Sequence, residues 1–296
     1  MHYSGQPLQL LLLAHPDGIP LSLARSLLPW RSKFSFHTYL HIHLHERLAS
    51  KTAGKELSQK NAFSEKKMLR VVDSLQSLTD SLHWKAKTTW ENYYEEANRR
   101  FNYLEQKRKI IADYLDEVPG LKTAVDLGAN EGEFSYLMSG KNIQTIAADL
   151  DSTAVNNLYK RIKKTDERNI LPLVVDLTSP SPASGFNNKE RLSLTDRMNA
   201  DVALALALIH HLAIGKNVPF DKIASFFGEL ANYLIIEFIP KEDEKVKMIL
   251  RQKKDIYTDY NEENFLNVFQ KYFSTVRKET IRDSGRTIYL MKKRRN

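Results

Sequence analysis

From Gly120 onward the chain alternates short apolar runs with amphipathic segments, and that alternation restricts it to a mostly parallel sheet with helices on both faces. The strands read from it are Thr123 to Leu127, Ile143 to Ala148, Leu171 to Val175, Val202 to Leu208 and Tyr233 to Phe238. Between them, Asp151 to Lys163 places Val155, Leu158, Tyr159 and Ile162 on one helical face. Phe220 to Leu230 does the same with Ile223, Phe226, Phe227 and Leu230. The pattern then changes. Phe273 to Ile281 and Thr287 to Met291 flank the turn Arg282-Asp283-Ser284-Gly285-Arg286, which makes the last two strands a hairpin with at least one strand antiparallel to the rest. The expected class is therefore α/β, with a seven-stranded sheet ending in an antiparallel hairpin.

The first 119 residues read as mainly helical. Leu21 to Leu28 forms a helix bounded by Pro20 and Pro29, and an aromatic, His-rich run follows from Phe34 to His45. Residues 50–64 are polar and Lys-rich and read as a linker. Met68, Val71, Val72, Leu75 and Leu78 then recur at helical spacing, as do Trp90, Tyr93, Tyr94, Ala97 and Phe101, until Pro119-Gly120 breaks the second helix. This divides the chain into an N-terminal extension with linker (1–64), a helical lid or substrate region (65–119) and a catalytic domain (120–296). Without a single Cys, disulfides, thiolate metal sites and a cysteine nucleophile are excluded. The surplus of 44 Lys and Arg over 36 Asp and Glu favours polyanionic partners without naming one. The apolar run from Leu8 to Ala14 is far shorter than the ~20 residues of a membrane span, and no basic segment precedes it as in a signal peptide. The expected location is cytoplasmic, with no membrane partner.

The chemistry begins at Asp126-Leu127-Gly128-Ala129-Asn130-Glu131-Gly132-Glu133-Phe134, where a strand passes through a two-glycine loop into a helix. Glycine there tolerates positive φ and lets backbone N–H groups approach a ligand. In open α/β sheets the ligand crevice lies beyond the carboxyl ends of the strands. Asp149 follows the second strand, where a carboxylate can accept both hydroxyls of a ribose, and Asp176 closes the third, within reach of an adenine amino group. Each acid alone could be a helix cap, with Asp149 or Asp151 the cap of the next helix. Three acids at the ends of three successive strands favour a ligand.

The stretch from about Leu121 to Lys293 resembles a class I, Rossmann-like S-adenosylmethionine-dependent methyltransferase. The resemblance implies S-adenosyl-L-methionine as cofactor. Asp126, Gly128 and Gly132 would hold its methionine part, Asp149 its ribose and Asp176 its adenine, with Ala129, Asn130, Phe134, Leu150 and Leu177 as further cofactor-binding residues. Phe134 stands where a third glycine often occurs, and the loop lacks the Gly-x-Gly-x-x-Gly spacing of nicotinamide sites. A fainter likeness, to bacterial nodulation-type methyltransferases, reaches upstream through Trp90-x-x-Tyr-Tyr and Gly18-Ile19-Pro20-Leu21.

His210 and His211, after the fourth strand, and Glu237, ending the fifth, are candidate bases; the alternatives are packing beneath the cofactor for a His and a helix cap for Glu237. Methyl transfer from a sulfonium is an in-line displacement with a good leaving group, so alignment and desolvation can supply most of the acceleration without a base. His37, His41, His43 and His45 share strand or helix faces, but with only Glu46 nearby no metal site is expected. Neither an Asn/Asp-Pro-Pro-Tyr/Phe motif nor a Lys-Asp-Lys-Glu set is present. The expected substrate is an oxygen or nitrogen of a small-molecule or glycan-type acceptor. The alternatives are an RNA-modifying enzyme using Lys107, Arg108, Lys109 and the tail 292–295, and a catalytically silent module that binds cofactor or nucleic acid as a scaffold.

Overall fold

The computed structural model describes residue 3 and residues 9–52, 64–82, 101–251 and 253–294. It forms two compact units, Met1–Lys87 and Thr88–Asn296. The division falls inside the 65–119 segment read from the sequence as one helical region, and neither expected boundary coincides with it.

In the first unit, a helix over Leu21–Leu27 begins directly after Pro20. A 3-10 turn, Trp30–Phe34, leads to Ser35, whose hydroxyl accepts the Thr38 N–H and caps the next helical turn. The His-rich run continues as a π-helical stretch, Tyr39–Leu44, and as a helix, His45–Thr52. Its histidines meet serines. His43 Nε2 lies 2.8 Å from Ser32 Oγ. His41 Nε2 and His37 Nδ1 lie 2.9 and 3.3 Å from Ser74 Oγ on the helix Glu65–Ser81. Among the described residues no group of three potential ligands is placed to hold a metal, and no helix is long and apolar enough to cross a membrane. The aromatic positions at 90, 93 and 94, like most of the 50–64 linker, lie outside the described residues.

The second unit is built on one seven-stranded sheet: β1 Thr123–Leu127, β2 Gln144–Asp149, β3 Ile170–Val174, β4 Ala200–Ala205, β5 Ala231–Phe238, β6 Phe273–Thr280 and β7 Thr287–Lys293. Its spatial order is β3-β2-β1-β4-β5-β7-β6; β1 to β5 are parallel, and β7 runs antiparallel to both neighbours. That order and the reversed β7 are those of the Rossmann-like methyltransferase fold expected from the sequence. The helices are α1 Phe101–Glu117, α2 Glu133–Ser139, α3 Ser152–Thr165, α4 Phe220–Leu230, α5 Glu244–Leu250 and α6 Glu262–Phe269.

The strands read as unbroken apolar runs because both faces are covered. Successive side chains go to opposite sides. Val125, Leu127, Ala203, Ala205, Leu234 and Ile236 pack with Ile223 and Phe227 of α4 and with Phe265 and Phe269 of α6. Ala124, Val202, Leu204 and Ile235 pack instead with Ile110, Ile111, Tyr114 and Leu115 of α1. The 110, 111, 114, 115, 118 spacing is one helical face, and it makes α1 part of the sheet's own core. The Tyr114 hydroxyl, deep in that layer, donates to the Ile288 carbonyl at 3.1 Å. α3 covers the β2–β3 side, with Leu158 and Ile162 against Ala129, Ala147 and Ile170.

Candidate active site

The loop after β1 is folded back by its own backbone. Gly128 N and Ala129 N both donate to the Ala148 carbonyl at the end of β2, at 2.8 and 3.1 Å. Gly132 has a φ of 78°, and a Cβ there would be strained and would lie 2.7 Å from Leu158 Cδ1, so any side chain would have to displace that methyl group of α3. Gly128, also at positive φ (76°), has only Leu208 within ordinary contact range. The loop and the strand ends open on a cavity of about 270 Å³.

Nine of the ten expected cofactor residues line that cavity: Asp126, Gly128, Ala129, Asn130, Phe134, Asp149, Leu150, Asp176 and Leu177. Gly132, the tenth, does not border it; its role is the tight passage over Leu158. The three acids differ in environment. Asp126 is buried, and burial pushes its carboxyl up to about 6, with Asp149 adding to the rise while the Ser135 hydroxyl, donating at 2.7 Å, opposes it. Burial also raises Asp149, against the bonds it accepts from Asp151 N at 2.8 Å and Asn130 N at 2.7 Å. Asp176 has burial acting upward too, but the Thr178 hydroxyl and N–H, both on Oδ1, outweigh it and hold the carboxyl below its usual range.

The capping question is answered by geometry. Asp151 Oδ1 accepts the N–H groups of Thr153 and Ala154 and caps α3, which leaves Asp149 facing the cavity. Each Asp149 oxygen accepts one backbone N–H and retains acceptor capacity for a hydroxyl pair. This pair of acceptors suits the hydroxyls of a ribose.

The three candidate bases do not share a role. His211 borders the cavity, and burial pushes its imidazole down to about 4. His210 is 1% exposed and is not a wall residue. Its ring centroid lies 4.1 Å from that of His211, its Nδ1 has no hydrogen-bond partner, and burial first, then His211, keeps it well below its ordinary value.

Glu237 is not a wall residue either, and it caps no helix. It is 0% exposed and accepts from Tyr103 Oη (2.7 Å), Lys107 Nζ (2.7 Å) and Ala207 N (2.8 Å), with Arg286 Nη1 at 3.7 Å. Burial alone would raise its carboxyl, yet Lys107 and Arg286 hold it below the usual range. Arg286 in turn forks onto Asp243 at 2.8 and 3.0 Å and donates to Tyr103 Oη at 2.8 Å. So engaged, Glu237 is an anchor for other groups. One of them is Ala207, a non-glycine residue at a φ of 50°, whose N–H the carboxylate holds.

Sequence reasoning missed Tyr103, Leu104 and Lys107 of α1, which line the cavity together with Leu206 to Leu208. Of the basic residues that the RNA-modifying alternative would use, Lys107 is buried beside Glu237, and Arg108 pairs with Glu133 at 2.9 Å. The available signal was the four-residue spacing of Tyr103 and Lys107, which puts a hydroxyl and an ammonium on one face of α1. The tail is partly structural as well: Lys292 and Lys293 end β7, and Arg294 donates to the Phe273 carbonyl.

No known family model matches the chain. It is 31% identical over 283 residues to the nodulation protein NoeA of Rhizobium meliloti (strain 1021), an alignment covering 92% of this chain and 59% of that protein. The chain thus spans about three-fifths of the length of that relative. Among solved structures, the N-methyltransferase NodS from Bradyrhizobium japonicum WM9 is 9% identical, with a TM-score of 0.48 over 65% of this chain and 97% of that one. Magnesium protoporphyrin IX methyltransferase (ChlM) from Synechocystis PCC 6803, with bound SAH, is 13% identical, with a TM-score of 0.46 over 89% of this chain and 100% of that one. The chain is similar along most of its length to NoeA, and in loop, strand-end acids and sheet order it resembles the class I, Rossmann-like S-adenosylmethionine-dependent methyltransferases.

Proposed function

We propose that the chain is an S-adenosylmethionine-dependent methyltransferase acting on an oxygen or nitrogen of a small-molecule or glycan-type acceptor. The observation that carries this reading is the convergence of Asp126, Asp149 and Asp176, from three adjacent strand ends, with the Gly128 loop on one cavity. In it, Asp149 receives the ribose hydroxyls, Asp176 and Leu177 border the adenine, and Asp126 and Gly128 border the methionine part. The bound cofactor supplies an electrophilic methyl group on a sulfonium. The chain's task is alignment in a largely apolar enclosure, to which Phe134, Leu206, Leu208 and Leu212 contribute. His211 is the one of the three proposed bases that borders this enclosure.

Calorimetry tests the reading. S-adenosylmethionine should bind and NAD should not; Asp149→Ala and Gly128→Arg should each abolish the heat. Absence of binding to the wild-type chain, or affinity unchanged in both variants, refutes it.

A further inference from the structure

In the second unit large aromatic side chains go inside: Phe227, Phe265, Phe269 and Tyr289 are fully buried. The 3-10 turn Trp30–Phe34 of the first unit does the reverse. Trp30 is 68% exposed, Phe34 79%, Phe36 72%, and Leu27, three residues before the turn, 55%. Yet the turn is anchored. Pro29 precedes it, Ser32 is wholly buried and bonds to His43, and Ser35 caps the segment that follows. Trp30 and Phe34 meet edge to face, with ring centroids 5.5 Å apart. On either side of the buried Ser32, Arg31 and Lys33 are exposed. Arg25 pairs with Glu46, and between Asp17 and Glu46 the sequence contains no acidic residue.

We propose that this turn docks the protein on an anionic phospholipid surface. Leu27, Trp30, Phe34 and Phe36 would enter the boundary between headgroups and acyl chains, and Arg31 and Lys33 would meet the lipid phosphates. The three rings, each more than two thirds exposed, project from their unit and line no groove. What receives them must yield, as a bilayer interface does, and Trp and Phe beside basic residues are what such interfaces select. A stretch without acids meets anionic lipid with no opposing repulsion. Single-stranded nucleic acid fits less well, because successive stacked bases lie parallel whereas these two rings stand at 79° to each other. No helix among the described residues is long and apolar enough to cross a membrane, but docking on one needs no span. The expectation of no membrane partner rested on the missing span, and it does not extend to a bilayer surface.

The test is co-sedimentation of the full chain with phosphatidylcholine vesicles that contain or lack phosphatidylglycerol. The chain should bind the mixed vesicles, bind pure phosphatidylcholine far more weakly, and be released by salt. Trp30→Ser/Phe34→Ser should lower the partition coefficient at least about tenfold, the scale of burying such rings, and Arg31→Gln/Lys33→Gln should lower it about fivefold per charge. All four positions are exposed, so circular dichroism should match wild type. Trp30→Phe/Phe34→Trp, which keeps two rings, should keep the binding. In a Trp84→Phe/Trp90→Phe chain the emission of Trp30 should be quenched by iodide in solution and, on mixed vesicles, by brominated acyl chains instead. A chain that stays in the supernatant, equal binding to both vesicle types, or wild-type binding by Trp30→Ser/Phe34→Ser overturns the proposal. Three results in place of vesicle binding overturn it by naming another occupant. A dimer that Trp30→Ser/Phe34→Ser dissociates names a second copy, salt-sensitive retention of single-stranded RNA that this variant loses names nucleic acid, and a Trp30 shielded from iodide in the free chain names the chain itself. None of these results bears on cofactor calorimetry, which tests the methyltransferase reading separately.

Discussion

Replacing Glu237 by Ala isolates the energetic weight of the buried charge network. The carboxylate is 0% exposed and neutralises Lys107 at 2.7 Å. Arg286 would keep its fork to Asp243, but Lys107 would lose the carboxylate it is hydrogen-bonded to, and the Ala207 N–H would lose its acceptor. Removing one member of a buried pair typically costs about 3–5 kcal/mol, because an uncompensated charge stays behind. Against a domain stability of about 5–15 kcal/mol, that is a large fraction. Removing both charges differs: in Glu237→Ala/Lys107→Met the stranded ammonium is gone, and the double variant should recover more than about 1.5 kcal/mol of the single variant's loss, a coupling within reach of a double-mutant cycle. Glu237→Gln, which keeps the shape and one acceptor oxygen, should fall between wild type and Glu237→Ala. Urea unfolding followed by circular dichroism supplies the numbers. The reasoning fails if Glu237→Ala lies within about 1 kcal/mol of wild type, or if the double variant is no more stable than Glu237→Ala.

Four further outcomes are expected. Gly132→Ala combines a left-handed backbone with a Cβ 2.7 Å from Leu158 Cδ1, and should cost about 2–5 kcal/mol; Gly120→Ala, at a similar φ with nothing within 4 Å, should cost only the backbone share of about 1–2, and equal melting points would contradict this. Folding lifts Asp126 from 3.8 to about 6, so between those values the folded chain holds a proton that the unfolded chain has released, and stability from this group is present in acid and lost as pH rises through 6. Wild type should therefore gain on Asp126→Asn by at most roughly 3 kcal/mol between pH 6 and pH 4, and parallel urea midpoints across that range would refute it. His211 acts in the opposite sense: its imidazole falls from 6.5 to about 4 on folding, so its contribution is lost as pH drops, and His211→Asn should flatten the acid limb of the stability profile. Finally, Asp151→Ala removes the cap of α3 and should cost about 1 kcal/mol while leaving Asp149-dependent cofactor heat unchanged, which thermal melts and calorimetry on one sample can check.

Much of this architecture is legible because burial on both sheet faces writes itself into local sequence. β1 and α4 coincide residue for residue with their sequence readings, and the other strands shift by a few positions at their ends. Asp126, Asp149 and Asp176 are legible for a related reason: each sits where an apolar run stops. The anchor network has no such signature. Glu237 finds Lys107 130 positions away and Tyr103 134 positions away, and nothing in the local pattern of either segment encodes that meeting. Arg286 looked like one residue of a hairpin turn, yet it is buried against Asp243 and Tyr103. Lys107 is masked by its neighbours, since three consecutive basic residues suggest a contact surface for a polyanion, whereas α1 turns the first of them inward. The left-handed Ala207 was invisible for the opposite reason: alanine carries no mark of unusual backbone, and a remote carboxylate holds it there.

The position of β7 has a consequence for the order in which the molecule can be assembled. It lies between β5 and β6, pairing with β5 from Tyr233 to Phe238 and with β6 from Phe273 to Thr280. As the chain leaves the ribosome, β5 therefore emerges with one side of its backbone ladder unpaired, and it stays so for some fifty residues of further synthesis. That open edge carries Leu234, Ile235 and Ile236, an apolar stretch of the kind that invites pairing with another chain. Among the described residues, β6 gains its only strand partner when residues 287–293 arrive. The segment synthesised last among the described strands is thus the one that closes the sheet, and a chain interrupted within it would leave two strands without their shared neighbour.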